Sequence, residues 1–345
     1  MSIGFGLLGS GFMNHTYAEC LAKYVPNARL VAVAVGSRAE SLAAEYGVTA
    51  ERSADALLRR PDIDAVIIAT PHSTHRQLTA LAAAAGKHVY VEKPMAVTVA
   101  DCDAMIEACR TAGVQLTVNK ITRFRESPLT AKRLIDSGAI GKPRMISVTS
   151  SVVGYLPDET GWVKAPGEGG AWLDMGVHLF DALRWFTGSE VDIVFARVRD
   201  FGGVDHLRRS GMAELVMRNG VIAQVMISFE MPAPGIGSQS QWTIVGSTGI
   251  VEADSYGKVR LGTGDTWTEV YEMPRFALDS DVYGFVRLKA FAAQVADFAD
   301  AIRERRAPAV TGREGRAAVE VVEAAALSSA SGAAVQLPLA GGITR

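Results

Sequence analysis

Three polar residues of the 345-residue chain could carry proton-transfer chemistry. Lys93 follows an apolar stretch and lies between Glu92 and Pro94, where it is poorly suited to packing and well suited to present an ammonium to a substrate oxygen. Asp174 and His178 are four residues apart, and on a helix that spacing places both side chains on one face. An imidazole can exchange a proton near neutral pH, but a lone histidine on an apolar helix is more often a packed or capping residue. The spacing alone leaves both interpretations of His178 open.

A glycine-rich turn near the start of the chain has the order that the pyrophosphate of a dinucleotide requires. The apolar run Ile3–Leu8 predicts a buried strand, and Phe12–Tyr24 predicts a helix. Between them, Gly9 permits a tight turn, and Gly11 lets the backbone approach phosphates that face the N–H groups of the helix start. The third glycine of the usual pattern is replaced by Asn14, which predicts a wider helix–strand gap or a polar contact of its own. The residues predicted to bind the dinucleotide here are Gly9, Gly11, Phe12 and Met13.

The end of the second predicted strand indicates which dinucleotide is bound. An Asp or Glu at this position holds the ribose 2′-hydroxyl of NAD, but the chain has Val35-Gly36-Ser37-Arg38 and no carboxylate. A carboxylate would repel a 2′-phosphate, whereas the hydroxyl of Ser37 and the guanidinium of Arg38 would bind one. These residues favour NADP, with NAD as the less favoured cofactor. The alternative for Arg38 is an exposed surface charge.

The loop after the third predicted strand contains Thr70, Pro71 and His75. The residue before a proline is disfavoured in helical geometry, so the chain turns here. The loop lies beside the glycine turn, and we predict that these three residues, together with Glu92 and Lys93, contact the cofactor at its nicotinamide half. The spacing of His72 and His75 could suggest a metal pair, but no third ligand is near, so no metal is predicted.

Strands and helices alternate through the first third of the chain. Near-continuous apolar strands separated by helices indicate a parallel sheet covered on both faces, and ligands bind such sheets beyond the carboxyl ends of the strands. The predicted strands are Ile3–Leu8, Leu30–Val35, Ile63–Ala69, His88–Val91 and Val114–Val118. The helices predicted between them are Phe12–Tyr24, Ala39–Tyr46, Thr74–Ala85 and Val99–Ala112.

The second half of the chain has a different pattern. Strands dominate after a helix at Glu126–Ser137, and Asn219-Gly220 between two apolar runs predicts a type I′ hairpin. The final predicted helices are Leu288–Glu304 and Arg316–Ala330. The predicted strands are Arg144–Val153, Val191–Arg199, Met212–Met217, Val221–Phe229, Gln241–Val245 and Ile250–Ala253. We therefore predict an α/β fold with two domains. Residues 1–122 form a Rossmann domain with a doubly wound parallel sheet, and residues 123–345 form an α+β domain with a large, mostly antiparallel open sheet. A role of this second domain in substrate binding and oligomerisation is implied by the family resemblance described below.

Composition limits the partners and the location. A net charge of -2 gives no reason to expect nucleic acid or an anionic membrane, and no apolar run reaches the length of a membrane span. The N-terminus lacks a basic segment before the first strand, so no secretory signal is visible. The cysteines Cys20, Cys102 and Cys109 lack CxxC spacing and are expected to be reduced core thiols. A cytoplasmic location is the expectation.

Four motifs together resemble the Gfo/Idh/MocA oxidoreductase family: Gly9-x-Gly11, Ala69-Thr70-Pro71 followed by His75, Glu92-Lys93-Pro94, and Gly169-Gly170 followed by Asp174-x-Gly176-x-His178. The resemblance covers most of the chain. It implies that Lys93, Asp174 and His178 act at a reacting carbinol. His178 takes the hydroxyl proton while hydride leaves for the nicotinamide, Lys93 holds the developing alkoxide, and Asp174 anchors the substrate or orients His178. In carbonyl reduction, His178 is the acid.

Substrate identity is weakly encoded. The predicted substrate residues are Lys93, Arg123, Tyr155, Trp162, Lys164, Trp172, Asp174 and His178. Aromatic rings beside polar groups suit a sugar, a cyclitol or a related ring polyol. Arg123 and Lys164 could equally meet a carboxylate, which would favour an arene dihydrodiol or another acid-bearing ring alcohol. For Trp162 and Trp172 the alternative is plain core packing.

Three functional classes remain from the sequence. The leading one is an NAD(P)-dependent dehydrogenase or reductase acting on CH–OH groups of a small molecule. The second is a glycosidase of the same fold that retains its nicotinamide, and the third is a non-catalytic nucleotide or sugar sensor, against which Lys93 and His178 argue. The resemblance also implies a homodimer or homotetramer through the C-terminal sheet, and outward apolar positions within Val221–Phe229 would allow it.

Overall fold

The computed structural model describes residues 2–153, 165–236, 240–274 and 282–339. The chain forms two compact units, one of Met1–Ile121 with Phe276–Arg316 and one of Thr122–Arg275 with Ala317–Arg345. The sequence-based division placed everything after residue 122 in the second domain, so the segment 276–316 differs from that expectation. Its helix packs within the first unit, where the ring of Phe298 lies 6.3 Å from that of Phe5. Gln294 Nε2 also donates a hydrogen bond to Val118 O at 2.8 Å.

The first unit is built on a six-stranded parallel sheet with the strand order β3-β2-β1-β4-β5-β6. This order reverses direction between β1 and β4, and the carboxyl ends of those two strands therefore flank the crevice where ligands bind such sheets. The strands are β1 (Ile3–Leu8), β2 (Ala28–Ala34), β3 (Thr49–Glu51), β4 (Ala65–Ile68), β5 (His88–Val91) and β6 (Leu116–Val118).

Helices cover this sheet, and α5 shows how local capping sets both ends of a helix. In α5 the Thr98 side chain accepts a hydrogen bond from Asp101 N, and the helix ends at Gly113 with a left-handed φ of 67°. The helices of this unit are α1 (Phe12–Lys23), α2 (Ala39–Glu45), α3 (Ala54–Leu58), α4 (His75–Ala84), α5 (Val99–Ala112) and α8 (Phe285–Glu304). Neither α3 nor β3 was predicted from the sequence, and they are only five and three residues long. Elements that short carry too few residues to show a hydrophobic period.

Within the described residues, the second unit holds a nine-stranded sheet with the order β14-β13-β12-β11-β7-β10-β9-β8-β15. The pair β7 and β10 is parallel, and the other pairs are antiparallel. The strands are β7 (Pro143–Val153), β8 (Val191–Arg199), β9 (Ser210–Met217), β10 (Ile222–Met231), β11 (Ser240–Gly246), β12 (Gly249–Asp254), β13 (Lys258–Thr263), β14 (Thr266–Glu272) and β15 (Val335–Gln336). The predicted α/β fold class, with a parallel sheet followed by a mostly antiparallel one, is confirmed.

The turn between β9 and β10 corrects one detail of the prediction. A type I′ turn needs a positive φ at both central residues. In the described loop from Arg218 to Val221, Gly220 has a φ of 85° and Asn219 does not share a positive φ. Met217 N donates to Val221 O, and Gly220 N donates to Met217 O, both at 2.8 Å. The antiparallel pairing is as predicted, but the loop is longer than a type I′ turn.

One face of the nine-stranded sheet is covered by α7 (Gly170–Thr187), which packs against β7, β9 and β10. Side chains on that face are buried, including Val148, Leu215 and Val225. The unit also contains α6 (Glu126–Asp136) and most of α9 (Gly312–Ser331). No helix in the described part of the chain is long and apolar enough to cross a membrane.

Candidate functional site

The glycine turn after β1 leaves room for an anion at the start of α1. Gly9 has a φ of 114°, and a Cβ there would lie 2.5 Å from Ala69 O, so glycine is required. At Gly11, which caps α1, an added Cβ would meet only Arg38 Nη2, at 4.0 Å. No side chain of the described residues caps this helix, and its first turn contains no acidic residue. The first N–H groups of α1 can therefore bind a pyrophosphate.

Asn14 stands where the usual pattern has its third glycine, and its side chain makes polar contacts there. It is fully buried, and its Nδ2 donates to Leu8 O at 3.0 Å and to Ala69 O at 3.1 Å. Leu8 is the last residue of β1 and Ala69 directly follows β4, the two strands whose carboxyl ends flank the crevice. The substitution thus supplies the polar contact that the sequence analysis allowed for, and it ties the two strand ends together beneath the glycine turn.

The residues that follow β2 contact the same glycine turn, and two of them have a positive φ. Val35 has a φ of 71°, a conformation that costs a β-branched residue about 1–3 kcal/mol, and Gly36 follows with a φ of 89°. A Cβ on Gly36 would lie 2.3 Å from Ser10 Oγ, and that hydroxyl accepts a hydrogen bond from Arg38 N at 3.1 Å. Ser37 and Arg38 are exposed. Neither the hydrogen bond of Ser10 nor the left-handed backbone of Val35 was predicted from the sequence, although a glycine such as Gly36 is a signal for such backbone.

Glu92 does not occupy a position from which it could contact a cofactor. The residue is only 4% exposed. Oε1 accepts hydrogen bonds from the Tyr17 hydroxyl at 2.5 Å and from Asn119 Nδ2 at 2.7 Å, and Oε2 accepts from Lys93 N at 2.9 Å. The geometry therefore places Glu92 beneath Lys93, which is itself partly exposed. Burial raises the pKa of Tyr17 well above its ordinary value, so the phenol remains a proton donor.

His75, predicted to bind the cofactor, is instead a fully buried bridge. Its Nε2 lies 3.0 Å from Thr70 O, and its Nδ1 lies 3.0 Å from Pro94 O. Both ring nitrogens face backbone, and no surface of the ring is left for a ligand. Burial is the main effect on its pKa, which lies below the ordinary 6.5. His75 thus connects the loop after β4 to the segment that follows Lys93, while Thr70 and Pro71 remain partly exposed.

In the second unit, a pair of glycines sets where α7 begins. Gly169 and Gly170 have φ values of 89° and 69°. A Cβ on Gly169 would lie 2.2 Å from Leu173 Cδ2, and one on Gly170 would lie 2.4 Å from Leu207 O. Asp174 and His178 follow on the helix and are both partly exposed. The spacing and the helix predicted for this pair are present.

Trp172 faces the core of the second unit. It is fully buried, with its ring 6.0 Å from that of Phe180. A Cβ on Gly211 would lie 2.6 Å from Trp172 Cζ3, so the indole occupies the space that this glycine leaves open. The alternative of core packing therefore describes Trp172 better than a substrate contact.

Arg123 is also engaged by the protein itself. Its Nε and Nη2 donate to Asp181 Oδ2 and Oδ1, both at 2.8 Å. The fork that could have met a substrate carboxylate is used by this pair. Tyr155, Trp162 and Lys164 lie outside the described residues. Among the residues that the structure does describe, no group of three or more His, Cys, Asp or Glu side chains could hold a metal ion.

The first unit therefore brings most of the predicted dinucleotide residues to one edge of its sheet. Around the start of α1 lie Gly9, Gly11, Phe12, Met13 and Arg38, and Phe12 is an exposed aromatic side chain at the helix start. Ser37 directly precedes Arg38, and Thr70 and Pro71 follow Ala69, which Asn14 holds. Lys93 is linked to this edge through His75 and Pro94.

Comparison with known proteins agrees with these features. Residues 3–120 match the model of the oxidoreductase family with an NAD-binding Rossmann fold, and residues 129–252 match the Gfo/Idh/MocA C-terminal domain. The chain is 30% identical to inositol 2-dehydrogenase of Rhizobium meliloti (strain 1021), over 96% of this chain and 98% of that protein. It is 36% identical to scyllo-inositol 2-dehydrogenase (NAD(+)) of Bacillus subtilis (strain 168), over 54% of this chain and 55% of that protein.

A solved structure extends the likeness to the whole fold. The crystal structure of aldose-aldose oxidoreductase from Caulobacter crescentus, complexed with glycerol, matches with a TM-score of 0.84 and 27% identity, covering 98% of this chain and 100% of that one. With both domain models matched in order and a relative similar along nearly its full length, the chain belongs to the Gfo/Idh/MocA family of oxidoreductases.

Proposed function

We propose that the protein transfers hydride between a nicotinamide dinucleotide and a secondary alcohol or ketone of a sugar, cyclitol or related ring polyol. The observation that carries the proposal is the edge of the first sheet. It combines an anion-binding helix start at Gly11 with a partly exposed Lys93 that is held from below by Glu92. The names of the inositol dehydrogenases similar to this chain support a polyol substrate. When bound, the nicotinamide supplies the hydride acceptor or donor.

The proposed roles follow from the chemistry of the side chains. Lys93 donates a hydrogen bond to the substrate oxygen and stabilises negative charge as the alkoxide develops. His178 accepts the hydroxyl proton during oxidation and returns it during reduction. Asp174, one helical turn before His178, binds a neighbouring substrate hydroxyl or orients the imidazole. Gly9 and Gly11 hold the pyrophosphate, and Thr70, Pro71 and Met13 border the position of the nicotinamide.

The test is a panel of cyclitols, sugars and arene dihydrodiols assayed with both dinucleotides by the absorbance of reduced nicotinamide. Stoichiometric reduction is the expected result. A glycosidase that retains its cofactor would give product without net reduction, and a sensor would give neither. With the best substrate, Lys93→Ala or His178→Ala should lower turnover by roughly 10²- to 10⁴-fold and leave dinucleotide binding near normal. Lys23→Ala, at an exposed lysine of the same unit, is the control. Ordinary turnover in both active-site variants would overturn the assignment.

We further propose that NADP is the preferred cofactor. Ser37 and Arg38 follow β2 where a carboxylate would select NAD, and Arg38 makes no ion pair with any described residue. A free guanidinium at this position would bind a 2′-phosphate. The name of one relative specifies NAD(+), which makes NAD the competing cofactor.

Opposite α7, the described part of the chain leaves a face of the nine-stranded sheet open, and for this face we propose a second copy of this chain as the partner. An open depression of about 1020 Å³ lies over β7 to β10. It exposes apolar side chains from all four strands, namely Met145, Phe195, Met212 and Ile222. Arg197 and Glu214 line the same face, so two copies related by a two-fold axis could pair opposite charges around an apolar centre.

Light scattering combined with size exclusion tests this assembly. A dimer or tetramer is expected, and Met212→Glu combined with Ile222→Glu should shift it to the monomer because four unpaired charges per dimer would be buried. Leu327→Glu, at an exposed leucine on α9, is the matched control and should not change the mass. A wild-type monomer at micromolar concentration would contradict the proposal.

A further inference from the structure

Glu92 is a buried carboxylate on which three separate elements of the first unit converge. Tyr17 reaches it from α1, Asn119 from the residue after β6, and Lys93 from its own backbone amide. All three are donors, and between them they engage both oxygens of the carboxyl group. Tyr17 and Asn119 are themselves buried. The carboxyl group of Glu92 is therefore fixed in position by three hydrogen bonds.

A buried carboxyl group such as Glu92 destabilises the fold relative to an apolar residue, so its presence here indicates a role other than packing. Removing a carboxylate from water costs several kcal/mol, and an apolar residue of similar size would fill the same space without that cost. The titratable groups around Glu92 are Tyr17 on α1, His75 on α4, Tyr90 on β5 and the adjacent Lys93.

Three of these four groups are held neutral. Burial, and then the charge of Glu92, raise the pKa of Tyr17 and Tyr90 well above their ordinary value. Burial lowers the pKa of His75, so its ring is uncharged at neutral pH. Lys93 is thus the cationic member of this group, and it is also the member that is partly exposed.

We propose that Glu92, held by Tyr17 and Asn119, is a positioning residue for Lys93. It fixes the backbone from which the lysine projects, and its charge keeps the ammonium protonated at the moment when a substrate oxygen becomes negative. The proposal rests on the role proposed for Lys93 and assigns Glu92 to the lysine, in place of the cofactor contact expected from the sequence.

The charge is tested by measuring the pH at which Lys93 becomes reactive. Competitive acetylation of the free protein with acetic anhydride, followed by mass spectrometry, gives that midpoint without any substrate. Glu92→Gln keeps the shape and removes the charge, and the midpoint should fall by about one pH unit. Tyr46→Phe removes a comparable hydroxyl–carboxylate bond, from Tyr46 to Glu19 at 2.8 Å, and should leave the midpoint unchanged. An unchanged midpoint in a folded Glu92→Gln protein would overturn the electrostatic part.

The positioning is tested by hydrogen exchange in Tyr17→Phe, a variant that retains the charge and nearly all the buried volume. Loss of one donor should loosen the carboxylate and speed amide exchange at Lys93 by about fivefold, the equivalent of one hydrogen bond. Tyr46→Phe should not change exchange at this amide. Unchanged exchange in Tyr17→Phe would show that the network does not hold Lys93. Both measurements use protein without substrate, so their outcome is separate from whether Lys93→Ala loses turnover.

Discussion

The Arg123 guanidinium and the Asp181 carboxylate form an ion pair with two parallel hydrogen bonds of 2.8 Å. The Asp181 side chain is 1% exposed and that of Arg123 is 15% exposed, so the ion pair is largely shielded from solvent. Arg184 adds a more distant contact, with Nη1 at 3.9 Å from Asp181 Oδ1. Arg123 therefore joins the segment before α6 to α7, the helix that bears Asp174 and His178.

Truncating either partner of this pair should destabilise the protein by about 3 kcal/mol, because the other charge is left buried without it. In urea unfolding, Arg123→Ala and Asp181→Ala should each show this loss, and the double variant should lose less than the sum. The control is Arg133→Ala, whose exposed side chain pairs with Glu126 and should cost under about 1 kcal/mol. Normal stability with a raised KM in Arg123→Ala would instead restore the substrate role first expected for this residue.

Asn14 should matter for stability at the glycine turn. Asn14→Ala removes both hydrogen bonds to Leu8 O and Ala69 O and leaves one buried and one partly buried carbonyl without that donor. The expected loss is about 1–3 kcal/mol in the free energy of unfolding. Asn14→Gly, which restores the common glycine, should lose about 1 kcal/mol more through helix propensity. Asn219→Ala removes an exposed Asn–carbonyl bond and should cost less than either variant. An unchanged free energy of unfolding in Asn14→Ala would mean that these two hydrogen bonds do not stabilise the strand ends.

The elements that the sequence predicted well are those with a strong apolar period. The limits predicted for β1, β5, α5 and β8 agree with the structure residue for residue. The strands β13 and β14 were not predicted. The side chains of β14 are nearly all exposed, so its strand lacks the alternation on which the prediction depends.

Side-chain direction could not be predicted in the same way. Glu92 and His75 stand in motifs that mark the cofactor edge, yet both are turned inward by partners that are distant in sequence. His75 meets Pro94 nineteen residues away, and Arg123 meets Asp181 fifty-eight residues away. A motif identifies the position of a residue along the chain, but which neighbour it contacts depends on tertiary packing.

The buried His75 should make stability depend on pH. Its pKa in the folded protein is below the ordinary 6.5, so the unfolded chain binds the proton first as pH falls. The stabilisation is present above pH 6.5 and is lost progressively as the pH falls from 6.5 to 5.5. Urea unfolding at these two values should show the loss, and His75→Gln should remove it. His88, whose pKa burial also lowers, is less buried, so His88→Gln should have a smaller effect. A full pH dependence in His75→Gln would contradict the assignment to His75.

Arg38 should discriminate between the two dinucleotides. Its backbone is fixed by the Ser10 hydroxyl, and its Nη2 is 4.0 Å from the position of a Cβ on Gly11, so a 2′-phosphate bound near the glycine turn would be within reach. Arg38→Ala should weaken NADP binding by roughly 10- to 100-fold, as expected for a lost charge-assisted contact, and should change NAD binding little. Ser37→Asp should favour NAD, because a carboxylate repels the phosphate and accepts from the 2′-hydroxyl. Fluorescence titration with both dinucleotides measures the two affinities, with Arg110→Ala on α5 as a surface-charge control. Equal weakening for NAD and NADP in Arg38→Ala would show that the guanidinium does not read the 2′-position.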